Sequence, residues 1–398
     1  MSSVNHSSPP YSSGLTPSLH QAAGHAGSMT LQEGSLFVKP TSQQELDFYS
    51  DTYNNDAADG ADLEEKPVGS KLVDWLPVYM GKLHESNQNA IIQGHAETTS
   101  ENVKGGFLNP SDPLVIQKSV SELTTNDTDK EYIVLQNLYH GFTYPSILDI
   151  KLGSKLTDDS VTAPEKIARL QKVSESTTTG SLSFRICGMK VYCGNSEKKP
   201  TTELYPNMNS TSVNVISHDS DNSNYLEFNK FFGRSLDKRN IKQGLLLFFN
   251  HHLHTIEPHG KKILQRLLES TLKRLQLLYN CLLDYEIRVF SGSLLFIYEN
   301  DLTRWLDRDG KVLDDDSYYQ ADPLIFEPLL GEDSDEEDSE DEGRERELLA
   351  PLSTLKMIDF AHAKFVHGQG HDENILEGLE NLIEIFESLI DEETSNEF

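Results

Sequence analysis

Two long stretches of the chain repeat apolar residues at helical spacing. In residues 261–283, Ile263, Leu264, Leu267, Leu268, Leu272, Leu275 and Leu278 fall on one stripe, and near the end Leu379, Leu382, Ile383, Phe386 and Ile390 do the same. Both are expected to be core helices. A third helix is predicted over 164–174 (PEKIARLQKVS), with proline at a permitted first-turn position and Lys166, Arg169 and Lys172 recurring along one face. Short apolar runs bounded by turn residues predict strands. These are SLHQAAGHAGSM and SLFVKP around a glycine-containing loop, YIVLQNL (132–138), PSILDIKLG (145–153), two pieces within SLSFRICGMKVYCG, and a pair in EIRVFSGSLLFIYE and LKMIDFAHA. QELDFY opens a helix after the first pair, and YIVLQNL and PSILDIKLG are expected to share one sheet. The fold class is α+β.

Polar stretches interrupt this pattern. Residues 1–17 are Ser/Pro-rich and predict a disordered tail, with order beginning near Leu19. Residues 51–70 and 85–130 read as loops or insertions, and 195–224 as a surface loop too polar for a core. Within an acidic loop over 331–347, the run Glu332–Glu342 has nine carboxylates in eleven positions, so mutual repulsion keeps it solvated unless a basic partner arrives. Ser334 and Ser339 are embedded in that acid. His251, His252, His254 and His259 lack cysteine partners at metal-finger spacing and are expected on a polar surface loop.

Composition narrows the function classes. The formal charge of −30 opposes electrostatic binding to nucleic acid or an anionic membrane. Three cysteines without zinc spacing favour a reducing compartment. No apolar run approaches the ~20 residues of a membrane span and no signal peptide opens the sequence, so a soluble intracellular protein is expected. A phosphate-rich ligand would have to be gripped locally.

The sequence lacks G-x-x-x-x-G-K-[ST], G-x-G-x-x-G and an H-R-D loop, which disfavours P-loop enzymes and protein kinases. It does carry the separate parts that phosphoryl transfer needs. Lys39 ends a strand and Glu45 opens a helix six residues later, an arrangement that aims an ammonium at phosphates or simply leaves an exposed lysine. Alternation puts Asp149 and Lys151 on one face of a strand, as a paired acid and base or as a structural salt bridge. Asp359 stands alone at a strand end, placed for Mg²⁺ or for a helix cap.

Together these residues resemble the inositol polyphosphate kinase family, most closely its multikinase branch. Its signature P-x-x-x-D-x-K-x-G stands here as Pro145, Asp149, Lys151 and Gly153, followed in order by Ser293-Leu-Leu and Ile358-Asp359-Phe360. QAAGHAG, ELDFY, YIVLQNL and FGRSL extend the likeness over roughly residues 18–390. The resemblance implies a two-lobed ATP-grasp-like kinase with an N-terminal lobe over 18–140 and a C-terminal lobe over 141–398. ATP and Mg²⁺ would be its cofactors and inositol polyphosphates its substrates. It implies that Lys39 and Glu45 pair near the ATP phosphates, that Gln136 to Leu138 face adenine, and that Asp149 binds the ribose. Lys151 would contact the reacting phosphoryl group and the inositol phosphate, Asp359 the metal, and Lys166, Arg169 and Lys172 the substrate phosphates. Family members often have two serines before the Leu pair; here Gly292 replaces the first, so a nucleotide contact rests on Ser293 alone. His362 is a candidate for touching the acceptor hydroxyl. The alternatives are an inositol hexakisphosphate kinase and a non-catalytic interaction protein whose acidic loop binds basic partners. A monomer in nucleus and cytoplasm is expected, although no basic import cluster is present.

Overall fold

The computed structural model of the chain describes residues 15–18, 27–31, 34–58, 67–84, 131–194, 198–218, 223–313 and 351–395. Strands β1 (Thr16–Pro17), β2 (Met29–Leu31) and β3 (Leu36–Pro40) lead into helix α1 (Gln43–Ala58), then β4 (Tyr79–His84) and β5 (Glu131–Gln136). They form an antiparallel sheet in the order β1-β2-β3-β5-β4. Period-two alternation splits β5: Val134 joins Leu31 and Val38 on one face, while Ile133 and Leu135 face the main core.

The second half begins with β6 (Pro145–Leu152), α2 (Pro164–Glu175), α3 (Thr178–Leu182), β7 (Phe184–Tyr192), β8 (Val213–His218) and β9 (Ser223–Phe228). Helices α4 (Lys230–Ser235), α5 (Ile241–Leu253) and α6 (Gly260–Leu283) follow. The chain then forms β10 (Ile287–Val289), β11 (Ser293–Glu299), β12 (Ser353–Ile358), β13 (Ala363–Phe365) and α7 (Glu373–Ser395). The larger sheet runs β12-β11-β6-β7-β9-β8, and β10 and β13 form a separate ribbon. Leu148, Ile150 and Leu152 of β6 belong to the same core as Leu267, Leu275, Leu379 and Phe386 of α6 and α7. Its alternate positions Ile147, Asp149 and Lys151 look the other way, and Lys151 is the one residue of β6 that is not fully buried.

Several elements differ from the sequence expectation, each for a physical reason. Strands β5 and β6 lie in different sheets, because the chain turns between the lobes at Asn137. Its amide donates to Ser35 O at 2.9 Å, its Nδ2 to Gly34 O at 2.6 Å, and its Oδ1 accepts the Tyr139 amide at 3.1 Å. Residues 51–58 continue α1 instead of looping. Polar Thr52 and Asp56 are buried there with partners: Thr52 Oγ1 donates to Phe48 O at 2.7 Å, and Asp56 Oδ2 accepts the Val73 amide at 2.9 Å. Residues 213–218 form the edge strand β8 and 223–224 open β9, which pairs with both β7 and β8, so these parts of the expected loop are sheet. The segment 181–194 holds one strand broken by a bulge at Cys187, since Asp149 faces Gly188 while Ile150 faces Ile186. His251 and His252 end α5, with His254 just beyond it and His259 preceding α6, so these histidines flank helices. Of the tail expected over 1–17, Thr16–Pro17 pair with β2 and residues 1–14 lie outside the described residues. The insertion 85–130, the acidic loop 331–347 and most of the strand expected over 18–29 lie outside the described residues.

Candidate active site

A cleft of about 700 Å³ opens between the two sheets. Its walls come from β3, α1, the 136–139 turn, β6, α2 and the segment after β12. Lys39, at the end of β3, donates to Glu45 Oε1 at 2.8 Å and to Asp359 Oδ1 at 3.0 Å. Burial opposes the Lys39 charge, but Asp359 and Glu45 outweigh it and hold the ammonium above its ordinary pKa. Glu45 is itself fixed: Oε2 accepts Thr41 Oγ1 at 2.7 Å and Oε1 accepts the Phe360 amide at 3.1 Å.

Asp359 follows β12 with φ of +68°, a left-handed conformation that an Asp tolerates better than most side chains. That turn presents a carboxylate, 40 % exposed, to the cleft. Asp149 is buried, and burial pushes its carboxyl up to about 6, with Asp359 adding to the shift and Lys151 and Arg185 offsetting part of it. Its Oδ1 and Ser293 Oγ are both buried without a hydrogen-bond partner among the described residues. Lys151 Nζ donates to Ser291 O at 2.5 Å. Farther along, Lys166 and Arg169 of α2 and His362 complete the wall. Burial, then Lys166 and Lys151, lower the His362 pKa, so its ring is neutral near pH 7.

The cleft wall thus carries carboxylates around the Lys39 ammonium together with the cations Lys151, Lys166 and Arg169 and the His362 imidazole. Of the residues expected at the site, Lys39, Glu45, Gln136, Leu138, Asp149, Lys151, Lys166, Arg169 and Asp359 line this cleft. Two predicted residues do not. Ser293 lies beneath the wall, paired in register with Lys151 and 1 % exposed. Lys172 is exposed in the last turn of α2 and outside the cleft, because steps of three residues drift by about 60° around a helix.

This chain has close counterparts. A sequence profile described as "Inositol polyphosphate kinase" matches residues 132–387. The inositol polyphosphate multikinase of Saccharomyces cerevisiae is 36 % identical over 92 % of this chain and 96 % of its own length. The chain belongs to the inositol polyphosphate kinase family. The crystal structure of the inositol phosphate multikinase Ipk2 from S. cerevisiae, in complex with ADP and Mn²⁺, superposes with a TM-score of 0.55 at 31 % identity, covering 90 % of this chain and all of that one. Inositol hexakisphosphate kinase 1 of Rattus norvegicus is 28 % identical over 69 % of this chain and 56 % of its own length. The fold is therefore the two-lobed inositol phosphate kinase fold.

The donor set fits a divalent metal carried with a nucleotide. Among the described residues no group of three or more His, Cys, Asp or Glu side chains could cage an ion. Mg²⁺-like ions prefer instead one or two carboxylates together with phosphate oxygens, and Asp359 faces the cleft while Asp149 Oδ1 has no partner. Among the described residues no helix is long and apolar enough to cross a membrane. Asn137 lies within the stretch expected to face adenine, but sequence reasoning missed the turn its side chain holds there. It also missed Ser291, which offers only its main-chain carbonyl to Lys151 and so leaves no mark in a side-chain pattern.

Proposed function

We propose that the chain is an ATP-dependent inositol polyphosphate multikinase. It transfers the γ-phosphate to hydroxyls of inositol tris- and tetrakisphosphates, with Mg²⁺ as the working metal. The observation that carries this reading is the 36 % identity to the yeast multikinase over 92 % of this chain, joined to a cleft lined by Lys39, Glu45, Asp359, Lys151 and the α2 cations Lys166 and Arg169. Gln136 and Leu138 face the base and Asp149 accepts from the ribose. Lys39, held by Glu45, contacts the nucleotide phosphates. Lys166 and Arg169 hold the acceptor by its phosphates, and Lys151 neutralises charge on the transferring group. The metal supplies further charge neutralisation at Asp359. Positioning and charge do the catalysis, with little covalent chemistry asked of the protein.

Purified protein offered ATP, Mg²⁺ and each inositol phosphate in turn is expected to convert the trisphosphate sequentially toward the pentakisphosphate by product chromatography. Lys166→Ala should raise KM for the trisphosphate roughly tenfold while KM for ATP stays within about twofold. Turnover of hexakisphosphate alone would move the chain to the pyrophosphate-forming branch.

Asp149 sets a pH dependence. A carboxyl raised to about 6 is ionised at pH 7 and protonated below 6. A protonated group accepts ribose hydroxyls poorly, so KM for ATP should rise as pH falls from 7 through 6, and Asp149→Asn should flatten that profile. The stability sign is opposite. The folded protein binds this proton more tightly than the unfolded chain, so the stabilisation is complete below the ordinary carboxyl pKa and lost as pH rises through about 6. Asp149→Asn should therefore melt higher at pH 7 than the parent while binding ATP less tightly.

The acidic run 332–342 suits basic protein partners, and with the family membership it supports residence in the nucleus as well as the cytoplasm. Deleting 331–343 should leave turnover within about twofold and abolish pull-down of a basic partner such as histone tails. Loss of turnover instead would tie the run to the fold or the chemistry.

A further inference from the structure

Helix α2 carries the cations assigned above to substrate, yet it is poorly packed. Ser174 is its one fully buried residue. A second crevice of about 710 Å³ lies against its other side, and Leu156, Thr157 and Leu170 line both that crevice and the cleft. One layer of side chains separates the two spaces. A helix with room on both faces gains little from apolar packing, so polar ties must fix it.

Those ties lead back to Asn374, in the first turn of α7 and outside the cleft lining. Its Oδ1 accepts the Lys155 amide at 2.8 Å and Ser154 Oγ at 3.3 Å, and its Nδ2 donates to Lys155 O at 3.1 Å. The side chain therefore pairs with both main-chain polar groups of Lys155, as a neighbouring strand would. Ser154 O in turn accepts Ser174 Oγ at 2.7 Å, which ties the loop to the buried residue of α2. The anchor is firm: the Asn374 amide donates to Asp372 Oδ1 at 3.1 Å, and buried Asp372 also accepts the Val289 amide at 2.7 Å. The approach also requires glycine. Gly153 has φ of +85°, and a Cβ there would sit 2.2 Å from Asn374 Nδ2. On the cleft side, Ser291 Oγ donates to Leu156 O at 3.0 Å and Lys364 pairs with Asp158, so the loop is held from both sides.

We propose that Asn374 is a positioning residue that sets the spacing between Lys151 and the α2 cations Lys166 and Arg169, and thereby which array of phosphates the enzyme accepts. This rests on the assignment of α2 to substrate made above. Lys151 stands two residues before Gly153 and the cations follow the clamped loop, so a shift at Lys155 changes one relative to the other.

The test compares Asn374→Ala, Asn374→Asp and Ser174→Ala by amide hydrogen exchange over residues 164–176 and by KM for inositol trisphosphate, inositol tetrakisphosphate and ATP. Asn374→Ala removes two or three modest hydrogen bonds, so exchange across α2 and KM for inositol phosphates should each rise roughly tenfold, with KM for ATP within twofold. The ratio of KM values for the tris- and tetrakisphosphate should move toward one. Asn374→Asp keeps the acceptor and loses the donor, and should fall between. Ser174→Ala should shift both readouts the same way by a smaller factor, and the Asn374→Ala/Ser174→Ala pair should be no worse than Asn374→Ala, because the two act in series. Unchanged exchange in α2, or additive effects, overturns the clamp while leaving the kinase reading intact. Faster exchange with an unchanged inositol phosphate KM overturns the assignment of α2 to substrate, and the spacing proposal with it. If Asn374→Ala does not fold, Ser174→Ala decides by the same criteria.

Discussion

Replacing Lys151 by Ala is expected to lower kcat on the order of 10³-fold while KM for ATP moves little, the pattern left when an interaction made chiefly in the transition state is removed. Lys151 is the one residue of β6 that is not fully buried, and it points into the cleft beside Asp149. Its ammonium donates to Ser291 O, a partner that fixes its direction without neutralising its charge. Charge on the transferring group would therefore meet a cation already in place. Lys151 also lowers the pKa of Asp149, so the variant should shift the fall in ATP affinity to higher pH. Lys151→Met, which keeps the stem, separates charge from packing. Both variants should lose turnover to a similar extent in single-turnover assays; recovery in Lys151→Met would assign the residue to packing.

The part of this site that the sequence displayed is the part made by side chains at regular spacing. Asp149 and Lys151 are two apart on a strand and share a face, and alternation alone is enough to predict it. Lys39 and Glu45 straddle a strand-to-helix turn short enough to bring them within 2.8 Å. Their contact with Asp359 could not be read in the same way, since Asp359 lies some three hundred residues away and reaches Lys39 through tertiary packing, at 3.0 Å. The stripe Lys166, Arg169, Lys172 failed at its third member for a geometric reason, the drift of a three-residue step around α2.

Fold elements were missed where polarity and burial part company. α1 runs through Asp51–Ala58 because its polar groups are bonded, Asp56 to the Val73 amide and to Tyr285 Oη at 2.5 Å, and a scale that scores side chains singly cannot see a satisfied pair. α5 contains the apolar run GLLLFFN, in which Leu245, Phe248 and Phe249 are buried while Leu246 and Leu247 are partly covered, so it shows little of the one-sided pattern that marks a helix. The division into two sheets turned on Asn137, a single residue whose side chain ends β5 and starts the crossing between lobes. Main-chain groups at Ser291 and Lys155 complete the picture, and no residue pattern encodes a carbonyl.

Asp359→Asn should abolish turnover, by on the order of 10³-fold, and leave the fold nearly untouched. The two parts of that expectation have separate causes. Asn adopts the left-handed backbone at φ +68° about as readily as Asp, so the turn that aims the side chain survives. The lost ion pair with Lys39 costs little because the Asp359 side chain is 40 % exposed and Lys39 keeps buried Glu45, which limits the change to ~1 kcal/mol or less. What disappears is the carboxylate charge, and with it the group placed to share a metal with nucleotide phosphates. Asp359→Ala should match the loss of turnover and add roughly 1 kcal/mol of destabilisation from the strained backbone. Thermal unfolding of both variants, beside single-turnover assays, checks the pair of claims. A drop in melting temperature of Asp359→Asn as large as that of Asp359→Ala would make this carboxylate a structural partner of Lys39 and remove it from the chemistry.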